Sequence, residues 1–183
     1  MDLSGEGNDG TVTSGVVEGQ GPYGSALRTG ADDSIIVPDS ASLDIVGPDM
    51  AFDAWLWIDS TPPSSERRGV FDNDGQYSVF VYGDEGLRCG WGPTFLFTRQ
   101  FPLGRWFHLA CTGDEAGSQM YVDGVLVDEG GVPEGGNLAN DNDLAILDNS
   151  PQLDEPLDGQ IASLRIFSRS LTVPEIDAAA SAP

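Results

Sequence analysis

The chain has 183 residues and a formal net charge of −22, from 30 acidic and 8 basic residues. A surface this acidic excludes broad contact with nucleic-acid phosphates and with anionic lipid headgroups, so we expect neither partner. No apolar run is long enough for membrane insertion. The length fits one domain, which we assign to residues 1–183.

Residues 1–22 are polar and rich in glycine, which indicates an extended lead-in segment. Beyond it, short runs of β-branched and aromatic residues alternate with Gly, Asp and Pro, a pattern typical of strands and turns. The Asp123-Gly124 pair between two apolar runs predicts a tight hairpin. The predicted strands lie, in chain order, at residues 34–38, 51–58, 70–71, 77–82, 86–91, 94–98, 106–112, 119–122, 125–127, 144–147 and 161–167.

The C-terminal end of the sequence predicts a helix. Thr172 and Glu175 have the spacing of a capping box, and Pro174 suits the first helical turn. Residues 176–180 then continue the helix. Many short strands with one helix predict an all-β fold, built as an antiparallel sandwich or barrel.

Several motifs follow one another in order along the chain. They are DLSGEGNDGT at residues 2–11, a strand-like run at 50–56, RWFHLA at 105–110, MYVDG at 120–124 and a closing segment at 156–176. This series resembles the bacterial form of the laminin G-like domains in the concanavalin A-like lectin/glucanase superfamily. The resemblance implies a two-sheet antiparallel jelly-roll sandwich with one short C-terminal helix.

The resemblance also implies a function. Such domains are mostly recognition modules of larger secreted or cell-surface proteins, and we expect a non-catalytic, extracellular, carbohydrate-binding module of this kind. Two alternatives stay open. The chain could be a protein–protein adhesion or assembly domain, or it could be a glycan-cleaving enzyme of the same fold, because loops rather than the fold decide function.

The sequence gives little support for catalysis. The glucanase branch of the superfamily uses a Glu-x-Asp-x-x-Glu signature, because two carboxylates must flank the glycosidic bond. This chain lacks that signature, and its acidic pairs Asp72/Asp74 and Asp154/Glu155 lie beside turn residues. His108 has apolar neighbours and is expected to be structural. We therefore expect that the protein is not an enzyme.

Cys89 and Cys111 lie in two predicted strands that could be adjacent. They could be a pair of free thiols in the core or a disulfide. Because the domains that the chain resembles are mostly secreted, and because oxidising compartments permit disulfides, we favour the disulfide.

The resemblance further implies one structural calcium ion, held where the two ends of the chain meet. Asp158 in the closing segment is the first candidate ligand, and Asp32, Asp2 and Asn8 are further candidates. Calcium prefers such oxygen ligands and would need backbone carbonyls or water to complete its shell. The alternative is that these residues only cap turns.

Four residues are candidates for ligand contact. Trp91 lies between glycines, which predicts an exposed position at a strand end where its ring could stack on a sugar. Tyr82 and Trp57 are further aromatic candidates. Arg67 belongs to the one basic doublet of the chain and could contact an acidic sugar or a carboxylate of a protein partner.

Overall fold

The computed structural model describes residues 1–13, 16–28, 34–133 and 139–181. The alternating apolar residues form two antiparallel sheets. Sheet A has, in spatial order, the strands β1 (Thr11–Val12), β4 (Ile35–Val37), β13 (Leu144–Ile146), β6 (Arg67–Asn73), β7 (Tyr77–Tyr82), β8 (Gly86–Trp91) and β9 (Thr94–Thr98). Sheet B has β12 (Val125–Gly130), β11 (Gly117–Val122), β10 (Trp106–Asp114), β5 (Met50–Ile58), β14 (Gly159–Phe167), β3 (Gly24–Arg28) and β2 (Val17–Gly21). The predicted all-β, two-sheet antiparallel sandwich is confirmed.

The two sheets pack through side chains that alternate between the core and the outer face of each strand. In β5, Phe52, Leu56 and Ile58 are buried in the core, while Trp55 and Trp57 lie on the opposite, half-buried face. Each large apolar side chain buried in this way stabilises the fold by about 1.5–3 kcal/mol.

The N-terminal segment contains two strands that the sequence did not indicate, β1, which pairs with β4, and β2. β2 pairs with β3 from Val17↔Arg28 to Gly21↔Gly24, so residues 11–12 and 17–21 belong to the sheets and not to a lead-in. Backbone pairing rather than apolar burial forms β2, because its side chains are mostly exposed. A sequence pattern based on apolar alternation therefore misses it.

The predicted C-terminal helix is confirmed as α1 (Val173–Ala180). The Glu175 carboxylate accepts hydrogen bonds from the backbone N–H and the hydroxyl of Thr172, both at 2.8 Å, as a capping box requires. Ile176 is fully buried against Ala110 and Tyr121, so the helix covers part of the outer face of sheet B. Within the described ranges, no helix has the length and apolar character needed to cross a membrane.

Trp91 lies in the core, and the prediction of an exposed ring is wrong. Its side chain is 1% exposed, and its ring centroid is 5.3 Å from that of Phe52 in the opposite sheet. The reason is strand alternation: Trp91 is the last residue of β8 and points to the same side as Leu87 and Cys89, which are also buried.

The predicted disulfide is confirmed. It joins Cys89 of β8 in sheet A to Cys111 of β10 in sheet B, with 6.8 Å between the Cα atoms. Both cysteines are completely buried. The bond therefore links the two sheets through the middle of the core.

Replacing both cysteines by alanine is expected to lower the free energy of unfolding by about 3 kcal/mol, because the bond closes a loop of moderate length in the unfolded chain. Urea denaturation followed by tryptophan fluorescence measures the loss. As a control, dithiothreitol should leave the native protein oxidised until denaturant is added, since both sulfur atoms are buried. An unchanged urea midpoint in the double variant would contradict the stabilising role.

Candidate ligand-binding site

The outer face of sheet A carries aromatic rings and guanidinium groups from β6 to β9. They point outwards because they alternate with core residues such as Val79, Val81 and Cys89. We call this group the platform; its members are Arg67, Phe80, Tyr82, Arg88, Phe95 and Phe97. The rings at its β9 edge are open to solvent, since Phe95 is 44% and Phe97 56% exposed.

The two arginines of the platform stack on its rings. The guanidinium carbon of Arg67 lies 4.3 Å from the ring centroid of Phe80, and its Nη1 donates a hydrogen bond of 3.3 Å to the Tyr82 hydroxyl. The guanidinium of Arg88 lies 4.2 Å from the centroids of both Tyr82 and Phe95. Cation–π attraction therefore fixes both side chains against the sheet.

A groove of about 590 Å³ crosses the platform at Arg67, Tyr82 and Arg88. This volume lies within the range of small-molecule sites. One wall comes from the loop before β6, a second from the turn between β7 and β8, and a third from the loop that precedes β14. The wall residues are Ser64, Ser65, Glu66, Asp84, Glu85, Asp154 and Glu155.

Two glycines hold these walls close to the sheet. Gly69 donates its N–H to the Glu155 carbonyl at 2.7 Å, and Gly83 donates to the Glu66 carbonyl at 3.1 Å. A Cβ atom at Gly69 would collide with the Asp148 backbone, and one at Gly83 would collide with that of Pro63. The absence of a side chain at both positions thus allows the loops to sit directly on the strands.

The structure brings together two of the four predicted ligand residues. Arg67 and Tyr82 are hydrogen-bonded neighbours in the groove. Trp57 lies on the outer face of sheet B, where its indole donates to the Asp59 carboxylate at 2.9 Å and its ring meets Trp106 edge to face. Trp91 lies in the core.

Of the platform residues, sequence reasoning singled out Arg67 and Tyr82 and not Phe80, Arg88, Phe95 or Phe97. The signal for Phe80 was its spacing of two residues from Tyr82 in a run of alternating side chains, which places both on one face. Arg88 carries no comparable signal, because its two ring contacts come from β7 and β9 rather than from its own strand.

Comparison with known families identifies the fold. A laminin G-type model described as the concanavalin A-like lectin/glucanases superfamily matches residues 29–177. The chain belongs to this superfamily. No curated protein matches this laminin G-type domain in sequence.

Solved structures resemble this laminin G-type domain over nearly its whole length. The binding domain of Paraclostridial Mosquitocidal Protein 1 has a TM-score of 0.80 and 16% identity, covering 98% of this chain and 48% of that one. Domain 4 of AbnA, an extracellular arabinanase from Geobacillus stearothermophilus, was solved with arabinotriose and has a TM-score of 0.69, 23% identity, and coverage of 94% and 88%.

A third structure is the binding domain of botulinum neurotoxin DC, solved with rat synaptotagmin II. Its TM-score is 0.69 and its identity 14%, covering 95% of this chain and 47% of that one. The laminin G-type domain thus spans about half the length of the toxin binding domains it matches. At these identities the likeness shows the fold.

The predicted calcium ligands lie in two separate places. Asp2 and Asn8 belong to one N-terminal turn, where the Asn8 N–H donates to the Asp2 carboxylate at 3.0 Å. Hydrogen bonds, chiefly from Ser4, hold the pKa of Asp2 at about 2. The side chain of Asn8 contacts the hydroxyls of Ser40 and Ser42.

Asp158 lies beside β14, where its carboxylate accepts the Ser60 hydroxyl at 2.5 Å and faces Arg68 at 3.3 Å. The positive charge of Arg68 disfavours a cation there. Asp32 lies outside the described residues. Among the residues that the structure describes, no three His, Cys, Asp or Glu side chains are grouped as metal ligands. The described side chains therefore do not fit a shared calcium site, and calcium binding stays a prediction.

His108 lies on the outer face of sheet B, as part of a buried polar group. Its Nε2 is 3.5 Å from the Asp53 carboxylate, and both side chains are 1% exposed. Arg165 covers Asp53 with two hydrogen bonds, of 2.8 and 2.5 Å. Trp55 packs on the His108 ring at 5.4 Å between centroids.

Asp72 is a buried carboxyl beneath the loop that forms the third wall. Its Oδ2 accepts the Ser150 N–H at 3.0 Å, which ties this loop to β6. Burial raises the pKa of Asp72 to about 6, and the nearby charges of Asp74 and Glu155 act in the same direction against that of Arg67. The ionised form is therefore disfavoured in the folded protein.

The predicted calcium can be tested through thermal stability. An ion held through Asp158 should raise the Tm when millimolar CaCl₂ is added, because a ligand that binds only the folded state stabilises it. EDTA should reverse the rise, Asp158→Ala should abolish it, and Glu115→Gln, at an exposed turn, should retain it. A Tm that does not respond to calcium would contradict the prediction.

Asp72→Asn is expected to stabilise the protein near neutral pH, while preserving an acceptor for the Ser150 N–H. Because the folded pKa is raised, the favourable contribution of protonated Asp72 is complete below pH 4 and is lost as pH rises through about 6. The variant should gain up to about 3 kcal/mol at pH 7.5 and little at pH 4.

Thermal melts of the variant and the wild type between pH 4 and 8 measure this difference. Glu115→Gln removes the same charge from an exposed site and serves as the control for net charge. A stability difference for Asp72→Asn that is constant across this range would show that burial does not raise this pKa.

Proposed function

We propose that this domain is a non-catalytic carbohydrate-binding module whose ligand lies in the groove across the platform. The observation that carries the proposal is the combination of solvent-open rings and a walled groove on one sheet face. The arabinotriose complex of the arabinanase domain supports it, because that domain has the same fold.

The platform offers the two kinds of contact that sugars need. Phe95 and Phe97 present apolar ring surface at the β9 edge, on which the C–H face of a sugar can pack. The groove walls present the hydroxyls of Ser64 and Ser65 and several carboxylates, which can exchange hydrogen bonds with sugar hydroxyls.

We also propose that the domain lies outside the cell, as part of a larger protein. The buried Cys89–Cys111 disulfide supports this location, because such bonds form and persist in oxidising compartments. A protein ligand is the second candidate, and the synaptotagmin II complex of the botulinum domain favours it as the alternative.

Binding to immobilised polysaccharides and to an oligosaccharide panel tests the proposal. We expect saturable binding without release of reducing ends or unsaturated products. Phe95→Ala and Arg88→Ala should each weaken it about tenfold, which corresponds to about 1.4 kcal/mol, because each removes part of the stacked platform.

Tyr23→Ala is the matched control, since Tyr23 is a partly exposed ring packed on Trp55 in the other sheet. Far-ultraviolet circular dichroism and Tm check that each variant is folded. If Trp57→Ala abolished binding and Phe95→Ala did not, the site would lie on sheet B. No binding to any glycan would favour the protein ligand.

A further inference from the structure

The charges of the groove indicate which class of sugar it accepts. Its lining contains five carboxylates and two guanidinium groups. The carboxylates are Glu66, Asp84, Glu85, Asp154 and Glu155, and the guanidinium groups are Arg67 and Arg88. The net charge of the groove is therefore negative, in a chain that is itself strongly acidic.

Arg67 is already paired. Its Nε lies 2.7 Å from the Glu155 carboxylate, its Nη1 donates to the Tyr82 hydroxyl, and its plane rests on Phe80. An acidic sugar could pair with Arg67 only by displacing Glu155 or by sharing the guanidinium with it. Displacement would leave a half-buried carboxylate without its partner, which is unfavourable.

Arg88 is held between the Tyr82 and Phe95 rings, and its Nη1 lies 3.7 Å from the Glu85 carboxylate. Its guanidinium is therefore shared between two rings and an acid of the same turn. Arg68, which follows Arg67 in β6 but does not line the groove, pairs with Asp158 at 3.3 Å. Arg99 donates to the Asp84 backbone carbonyl. The described arginines around this groove therefore already contact acidic groups, rings or carbonyl groups of the protein itself.

The carboxylates of Glu66, Asp84 and Asp154 differ from the other two. They line the groove, their residues are exposed, and no cation of the described chain pairs with them. An ionised carboxylate only accepts hydrogen bonds, so its natural partner is a hydroxyl group. A second carboxylate or a sulfate brings no proton to donate and adds repulsion.

We infer that the groove accepts uncharged sugar chains and rejects acidic ones. Vicinal hydroxyls of a neutral sugar donate to the free carboxylates, while the apolar face of an adjoining sugar packs on Phe95 and Phe97, which lie beside the groove next to Arg88. Uronic acids, sialic acids and sulfated sugars are excluded by the same carboxylates. This specificity rests on the proposed function, because it assumes that the groove is a sugar site.

Affinity electrophoresis tests the sugar site and its specificity for uncharged sugars separately. The neutral probes are arabinan, xylan, galactan and mixed-linkage β-glucan; the acidic probes are polygalacturonate, alginate, hyaluronan and heparin. We expect at least one neutral polysaccharide to retard the protein, and no acidic one to do so at 50 or 500 mM NaCl. Retardation by an acidic probe as strong as by the best neutral one would overturn the specificity and keep the sugar site. If no polysaccharide retarded the protein, both the sugar site and its specificity would be overturned.

A charge-removal variant tests whether the groove itself sets the specificity. Glu66→Gln, Asp84→Asn and Asp154→Asn combined should make polygalacturonate retard the protein at 50 mM NaCl, where it does not retard the wild type. The control variant Glu18→Gln, Glu115→Gln and Glu129→Gln removes three exposed carboxylates in or beside sheet B. An equal gain in both variants would show that net charge alone excludes acidic glycans, and would overturn the role of the groove. No gain in the groove variant would overturn it as well.

Discussion

Strand alternation in β7, β8 and β9 is the constraint on which most of this structure depends. Successive residues of β8 point to opposite sides of the sheet. Cys89 and Trp91 point into the core, where Cys89 bonds to Cys111 and Trp91 packs on Phe52. Arg88 points outwards and lies between two rings. A slip of one residue in the pairing would expose the disulfide and bury a guanidinium at once. The core and the platform therefore fix the same register.

The groove adds long-range packing to this sheet. Its walls come from segments far apart in sequence, and they approach β6 and β7 closely because Gly69 and Gly83 have no side chain. The buried contact of Asp72 with the Ser150 N–H adds a further tie, although burial raises the pKa of this carboxyl. Near neutral pH, the Asp72 carboxylate that holds this loop through the Ser150 N–H therefore also lowers the free energy of unfolding.

The sequence predicts the elements better than the site. Dense runs such as residues 77–82, and the capping box of α1, depend on local patterns and are found correctly. The exposure of Trp91 is predicted wrongly because its position between two glycines at a strand end does not tell which side of the sheet the ring faces. In the structure the ring faces the core, and Gly90 leaves room for the Phe95 ring on the outer side. The groove could not be predicted from local patterns, since Arg88 and the wall loops form it through contacts with other strands.

The outer faces of the two sheets are both rich in aromatic residues, but they differ in how far the rings are covered. On sheet B, α1 covers Ala110 and Tyr121, and Trp57 and Trp106 pack edge to face on each other. These rings contact one another or the helix. On sheet A, Arg88 lies between the Tyr82 and Phe95 rings, loops rise beside them, and Phe95 and Phe97 stay open to solvent. Rings that are held in position without being covered suit ligand contact, and Phe95 and Phe97 at the β9 edge of the platform meet this condition.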